Sequence, residues 1–128
     1  MWFNWKMPRT LRPYYEQELK EYQQNEQKQQ LVKAWYHLER AHILGQPYPV
    51  EHTVVHGKML AFGIKSRNTK EVVGQLPRLL VGGIKSWAGT IPVGNTGGAN
   101  VAAWKPMPIP DDLQEIIRQA NSKVRSIQ

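Results

Sequence analysis

Apolar residues recur at intervals of three and four along most of this chain, which is the spacing of helices with one buried face. In RPYYEQELKEYQQNEQKQQ, residues 12–30, Pro13 stands at a helix start. Tyr15, Leu19 and Tyr22 then follow among charged residues and glutamines. The pattern predicts an outer helix that buries this one face and exposes the rest.

The same spacing continues after residue 30 and stops at Gly45. Pro47 and Pro49 follow, and a helix commonly ends where a glycine and then a proline succeed its last turn. The apolar positions of this second predicted helix are Leu31, Ala34, Trp35, Leu38, Ala41 and Leu44. A third helix is expected from Val50 onwards, and its apolar positions are Val55, Met59, Leu60 and Phe62.

A fourth helix is predicted in NTKEVVGQLPRLLVGGI, residues 68–84. Asn68 or Thr69 would cap its start, and Glu71 stands where a capping box requires an acidic residue. Pro77 would kink or shorten this helix, because proline offers no backbone N–H and its ring clashes with the preceding turn.

The helices also suggest an internal repeat. The run around Leu38 matches the run around Leu76 at a constant offset of about 38 residues, close to the tetratricopeptide period. We therefore expect an all-α fold of tetratricopeptide-like antiparallel helical hairpins over residues 12–86. Residues 1–11, which begin MWFNW, form an aromatic N-terminal extension in this interpretation.

The character of the chain changes after Trp87, where glycine, proline and asparagine become frequent, as is typical of irregular surface segments. Residues 87–110 nevertheless contain apolar side chains that a free linker would not need: Ile91, Val93, Val101, Trp104, Met107 and Ile109. We expect an ordered strap packed across the helices. Asp111 or Asp112 then caps a final amphipathic helix, residues 111–125, and the whole chain forms one domain.

Composition narrows the classes of function. The 128 residues and 41% hydrophobic content suit one domain with one core, and no apolar block approaches the roughly 18 to 20 residues of a membrane span. No export signal is recognisable, so we expect a soluble, cytoplasmic protein. The net charge is +7, but the basic residues are dispersed and often lie beside Glu, which argues against specific nucleic-acid binding. Cysteine is absent, so disulfides and cysteine catalysis are excluded.

The four histidines lie close together in the sequence, between residues 37 and 56. Residues three or four apart share a helix face, so Glu39 aligns with His42, and His52 aligns with His56. If the second and third helices pair as an antiparallel hairpin, the two pairs meet at the same height. Three imidazoles and one carboxylate would then suffice to bind a first-row divalent metal or copper. Helix-bundle di-iron proteins use two E-x-x-H motifs and two further glutamates. This chain has one such motif, which argues against a di-iron centre.

Several other side chains could substitute as ligands or surround the ion: His37, Glu51, Met59, Asn95 and Asn100. His37 is displaced from His42 on the helix and should face elsewhere. A thioether ligand from Met59 would favour copper, whereas its absence from the shell would favour zinc, iron or cobalt. Asn95, Thr96 or Asn100 would lie beside the site if the strap crosses the hairpin near the histidines.

The glycine-rich motif GNTGGAN, residues 94–100, permits a second interpretation. Its backbone N–H groups could bind a phosphate or carboxylate, although no Lys-Ser or Lys-Thr follows as in a P-loop. We favour the simpler interpretation, a tight strap whose asparagines satisfy buried backbone groups.

Four blocks of the sequence resemble a family of small bacterial proteins described as a domain of unknown function (DUF3703). They are HLERAHILGQ, HTVVHGKML, KEV with GQLPRL, and PVGNTGGANVAAWKPMPIP. The resemblance covers roughly residues 12–120 and implies an all-helical protein associated with metal-resistance gene neighbourhoods. Pro77, where the family has a helix-compatible residue, and the MWFNW extension depart from its pattern.

Two functions of different classes remain open. The first is a small helical metal-binding protein that acts as a carrier, sensor or resistance factor, or as a metalloenzyme if a coordination position stays open. The second is a tetratricopeptide-like interaction module that uses its groove, or Trp2, Phe3 and Trp5, to hold a protein partner or a second copy of itself. No Ser or Thr stands in a recognisable nucleophile context.

Overall fold

The computed structural model describes residues 6–77, 96–99 and 106–127. Within these ranges the regular structure is helical and no strand is present. The helices are α1 Arg12–Gln27, α2 Leu31–Gly45, α3 Pro49–Lys65, α4 Thr69–Pro77 and α5 Asp111–Ile127. The prediction of an all-α fold is confirmed for this part of the chain, and the tetratricopeptide-like stacking remains a prediction. None of these described helices is long and apolar enough to cross a membrane.

Helix α1 packs along α2 and buries the face that its periodicity predicts. Tyr15 and Tyr22 are buried, and Leu19 packs against the core while partly exposed. The residues just before α1 also contribute, because Met7 and Leu11 are both buried in the same core. Part of the predicted N-terminal extension therefore belongs to the folded body, whereas Trp2, Phe3 and Trp5 lie outside the described residues.

Helix α2 is central, since it contacts α1, α3 and α5. Four of its predicted apolar positions are fully buried: Ala34, Leu38, Ala41 and Leu44. Trp35 is partly buried against Phe62 of α3, with ring centroids 5.3 Å apart. Leu31, the first residue of the helix, is exposed.

A short turn joins α2 to α3 and requires Gly45 for its packing. A Cβ atom on Gly45 would lie 3.0 Å from the Tyr15 ring and 3.2 Å from Cβ of Glu51. The N–H of Tyr48 donates to the carbonyl of Gly45 at 2.9 Å, and α3 begins at Pro49. Gly45 thus ends α2 as predicted, but its role is to let α1 and α3 approach closely. That approach fixes α3 beside the last turns of α2.

Asn68 caps the start of α4, as predicted. Its side-chain oxygen accepts a hydrogen bond of 3.1 Å from the backbone N–H of Glu71. The predicted capping box is nevertheless incomplete, because the Glu71 carboxylate accepts the N–H of Ala99 instead. The described part of α4 ends at Pro77, and the effect of this proline on later residues lies outside the described ranges.

Arg40 attaches α5 to the first two helices. This buried side chain donates from Nε to Glu18 of α1 at 2.8 Å, and from its terminal nitrogens to both carboxylate oxygens of Asp112. Asp111 and Asp112 lie in the first turn of α5, where negative charge is favourable. Leu113 of this helix is buried in the core.

Most of the predicted strap, including Trp104, lies outside the described residues. Of its predicted apolar anchors, Ile109 packs against the core and Met107 is partly buried.

Candidate metal centre

Helices α2 and α3 bring three of the four histidines together. His42 lies in the last turn of α2, and His52 and His56 lie one turn apart on α3. All three are buried, with exposed fractions of 2%, 6% and 4% respectively. Buried histidines of this kind must be hydrogen-bonded, paired or bound to a metal.

The three side chains converge through the same ring nitrogen. The Nε2 atoms of His42, His52 and His56 form a triangle in which each pair is 3.0 Å apart. The rings meet edge to face, with interplanar angles between 64° and 82°. The three Nε2 atoms therefore converge on one point between α2 and α3.

The triangle has the dimensions of a metal site. Two nitrogens bonded to one ion at about 2.0–2.1 Å lie about 2.9 Å apart at a right angle and about 3.3 Å apart at the tetrahedral angle. The observed 3.0 Å separation falls within this range. Three neutral imidazoles are a sufficient protein ligand set for a first-row divalent ion.

Gln75 of α4 determines which nitrogen of His56 carries the proton. The Gln75 amide nitrogen donates to the Glu71 carboxylate and to the carbonyl of Gly97, both at 2.7 Å. Because both partners are acceptors, the Gln75 oxygen must face Nδ1 of His56, which lies 2.7 Å away. Nδ1 therefore donates, and Nε2 of neutral His56 presents a lone pair to the triangle.

Hydrogen bonding among neutral rings cannot satisfy this triangle. Nε2 of His56 carries a lone pair, so only His42 and His52 could carry a hydrogen on Nε2. If neither or only one of them does, at least two lone pairs face each other. If both do, their two N–H groups face each other. At least one of the three contacts is then repulsive, whereas a cation would satisfy all three lone pairs at once.

His52 stays neutral at physiological pH. Burial first, and then the neighbouring His56, lower the pKa of His52 to about 3. Within the described residues, its Nδ1 is buried without a hydrogen-bond partner. A proton on His52 therefore does not relieve the cluster near neutral pH, and the side chain remains able to coordinate.

Glu39 does not belong to the set of convergent ligand atoms. Its side chain is hydrogen-bonded to Thr96, although burial and the charge of Glu71 raise the pKa of Glu39 above its usual value. The structure thus brings together three of the four predicted ligands. Glu39 and Glu71 provide negative charge around them.

The substitute ligands have other partners. Nδ1 of His37 lies 2.7 Å from the Glu18 carboxylate on α1, so this ring faces away from His42 as expected. Glu51 receives a hydrogen bond of 2.7 Å from Arg12, and its second carboxylate oxygen is buried without a partner in the described part of the chain.

Met59 contacts Gln75, the hydrogen-bonding partner of His56. Its sulfur is 3.5 Å from the amide nitrogen of Gln75, and Gln75 contacts the Nδ1 edge of His56. The thioether of Met59 thus packs against the hydrogen-bonding partner of His56. Asn95 and Asn100 lie outside the described residues.

The glycine-rich motif reaches the cluster through residues 96–99. Gly97 has a φ of +86°, and a Cβ atom there would lie 2.5 Å from Cδ2 and 2.7 Å from Nε2 of His42. The N–H of Ala99 binds the Glu71 carboxylate, 3.0 Å from each oxygen. The anion bound by the N–H of Ala99 is therefore the carboxylate of Glu71, which belongs to the same chain.

Sequence reasoning missed the contribution of α4. Gln75 is 19 residues from its partner His56, and no spacing rule links a glutamine on one helix to a histidine on another. One usable signal was that Glu71 and Gln75 stand four apart on the same helix face, where a polar pair is unusual within an otherwise apolar pattern.

The helices and the cluster define a small all-helical protein with a buried three-histidine centre. A family model described as "Protein of unknown function (DUF3703)" matches residues 9–117, so the chain belongs to this family. The resemblance noted in the sequence is confirmed. No curated protein and no solved structure matches the chain.

Proposed function

We propose that this protein binds one first-row divalent metal ion through Nε2 of His42, His52 and His56. The observation that carries the proposal is the triangle of buried nitrogens, each 3.0 Å from the other two, with the tautomer of His56 set by Gln75. An ion at this point would remove the repulsion within the triangle. Its charge would also be balanced by the nearby carboxylates of Glu39 and Glu71.

The donor set favours zinc, cobalt or iron over copper(I). Copper(I) prefers soft ligands, the chain contains no cysteine, and the sulfur of Met59 contacts the amide nitrogen of Gln75. Three neutral imidazoles without a sulfur ligand suit borderline divalent ions instead.

The burial of the three rings favours holding an ion over processing a large substrate. The exposed fractions of 2% to 6% leave little ligand surface, and the backbone of Gly97 lies on His42. We therefore propose a cytoplasmic carrier, sensor or resistance factor, and we rank a metalloenzyme behind it.

Metal titration of untagged, chelator-treated protein tests the proposal. Zn²⁺ and Co²⁺ should bind with a stoichiometry of one at neutral pH, and His42→Ala or His56→Ala should abolish tight binding. His37→Ala is the matched control, because this histidine is on α2 but is turned to Glu18, and it should bind the ion like the native protein. If the native protein binds no more tightly than the His42 and His56 variants, the interaction-module hypothesis takes its place.

A further inference from the structure

Residues 96–99 lie in contact with both the histidine cluster and α4. Gly97 is seated on the ring of His42, where its backbone leaves no room for a Cβ atom. Ala99 packs as closely on the other side, because a Cβ on Gly74 of α4 would lie 2.4 Å from Cβ of Ala99. This short segment therefore lies against His42 of α2 at Gly97 and against Gly74 of α4 at Ala99.

Glu71 holds the segment in this place. Its buried carboxylate accepts the N–H of Ala99 at 3.0 Å from each oxygen and the amide of Gln75 at 2.7 Å. Gln75 in turn donates to the carbonyl of Gly97. Hydrogen bonds to a buried carboxylate are stronger than those between neutral groups, so Glu71 attaches this segment more firmly than the neutral amide of Gln75 does.

We propose that Glu71 is a positioning residue of the metal centre, which latches residues 96–99 over the three histidines and thereby slows release of the bound ion. The inference rests on the proposed metal binding and adds a residue that contributes no ligand atom. When Ala99 leaves Glu71, Gly97 can lift from His42 and Gln75, which uncovers the cluster. The latch must open before the ion departs.

The same contacts couple the latch to the ion. A cation on Nε2 of His56 makes its Nδ1–H a stronger donor to Gln75, and this polarises the Gln75 amide toward Glu71 and Gly97. Metal binding therefore tightens the attachment of the segment. By reciprocity, the attached segment raises the affinity for the metal.

Transfer of Zn²⁺ from the loaded protein to excess EDTA measures the latch directly. Glu71→Ala removes the carboxylate that accepts the N–H of Ala99, and Glu71→Gln keeps the shape but loses the charge and one acceptor. Asn68→Ala is the matched control, because it removes the cap on the backbone N–H of Glu71 and leaves the carboxylate in place. It weakens α4 at the same residue without opening the latch.

We expect Glu71→Ala to release zinc at least about tenfold faster than the native protein, the factor that loss of a charge-assisted hydrogen bond corresponds to. Glu71→Gln should be intermediate, and Asn68→Ala should stay within about threefold of the native rate. Stoichiometry should remain one in all variants. Equal release rates for Glu71→Ala and Asn68→Ala would overturn the latch while the metal site stands.

Hydrogen exchange of the native protein provides a test that needs no variant. The Ala99 amide should exchange at least about tenfold more slowly in the zinc-loaded than in the chelator-treated protein. Equal exchange in the two states overturns the latch. Failure of the metal proposal is recognised separately, because native protein and His42→Ala would then take up zinc equally poorly.

Discussion

Gly97 is the position where a single methyl group should disturb the metal centre most directly. In Gly97→Ala the new Cβ would lie 2.5 Å from Cδ2 of His42, about 0.9 Å inside an ordinary contact distance near 3.4 Å. Either the His42 ring or residues 96–99 must move by about 1 Å. Metal–ligand distances tolerate changes of only about 0.2 Å.

Two effects determine the size of the change. Loss of an outer partner of a metal ligand lowers affinity about 10- to 100-fold, and displacement of the ligand itself should reach at least the upper end of that range. An alanine at a φ of +86° also costs about 1–2 kcal/mol, and overpacking adds about 1–3 kcal/mol. We expect Gly97→Ala to weaken zinc binding at least about 100-fold and to destabilise the metal-free protein by roughly 2–5 kcal/mol.

Gly57→Ala is the matched control, because Gly57 adjoins His56 on α3 and a Cβ there would meet nothing within 4 Å. Replacing a glycine inside a helix should stabilise the protein by about 0.5–1 kcal/mol and leave zinc affinity unchanged. Competition with a chromophoric chelator measures the affinity, and thermal unfolding after chelation measures the stability. If Gly97→Ala binds zinc as tightly as Gly57→Ala, the placement of residue 97 against His42 is refuted.

Three further predictions concern other parts of the account. Gln75→Leu removes the acceptor for Nδ1 of His56, so calorimetry should show about 10- to 100-fold weaker zinc binding with unchanged stoichiometry. In metal-free protein the unfolded chain binds a proton at His52 below pH 6.5, but the folded protein does so only near pH 3. The free energy of unfolding should thus be greatest above pH 6.5 and fall by about 2 kcal/mol between pH 7 and pH 5 in urea titrations, while a flat profile would contradict this reasoning. Arg40→Ala should cost about 1.5–3 kcal/mol in thermal unfolding, because it removes charged hydrogen bonds from α2 to Glu18 of α1 and Asp112 of α5, and should not change zinc stoichiometry.

The helices and the histidine pairing could be predicted because they depend on local spacing. The apolar period fixed the buried faces of α1 to α3, and Gly45 with its following prolines located the turn. A short turn between two amphipathic helices leaves little freedom in their alignment. His42 therefore had to meet His52 and His56.

The remaining parts of the site depend on long-range contacts that spacing does not encode. Glu39 shares a helix face with His42, but its carboxylate is hydrogen-bonded to Thr96, which a distant segment supplies. The capping-box pattern predicts that the Glu71 carboxylate binds the backbone of its own helix. In the structure it accepts the N–H of Ala99, from a distant segment, instead. Local rules give the residues that are able to bind, and only packing decides which partner each one takes.

X-ray absorption at the zinc edge tests the central claim most directly. Untagged protein loaded with one equivalent of Zn²⁺ should show three imidazole nitrogens at about 2.0–2.1 Å from the ion, without sulfur. His42→Ala should lower the average number of imidazoles per zinc ion. A spectrum without imidazole scattering, or one that His42→Ala leaves unchanged, would contradict the three-histidine centre.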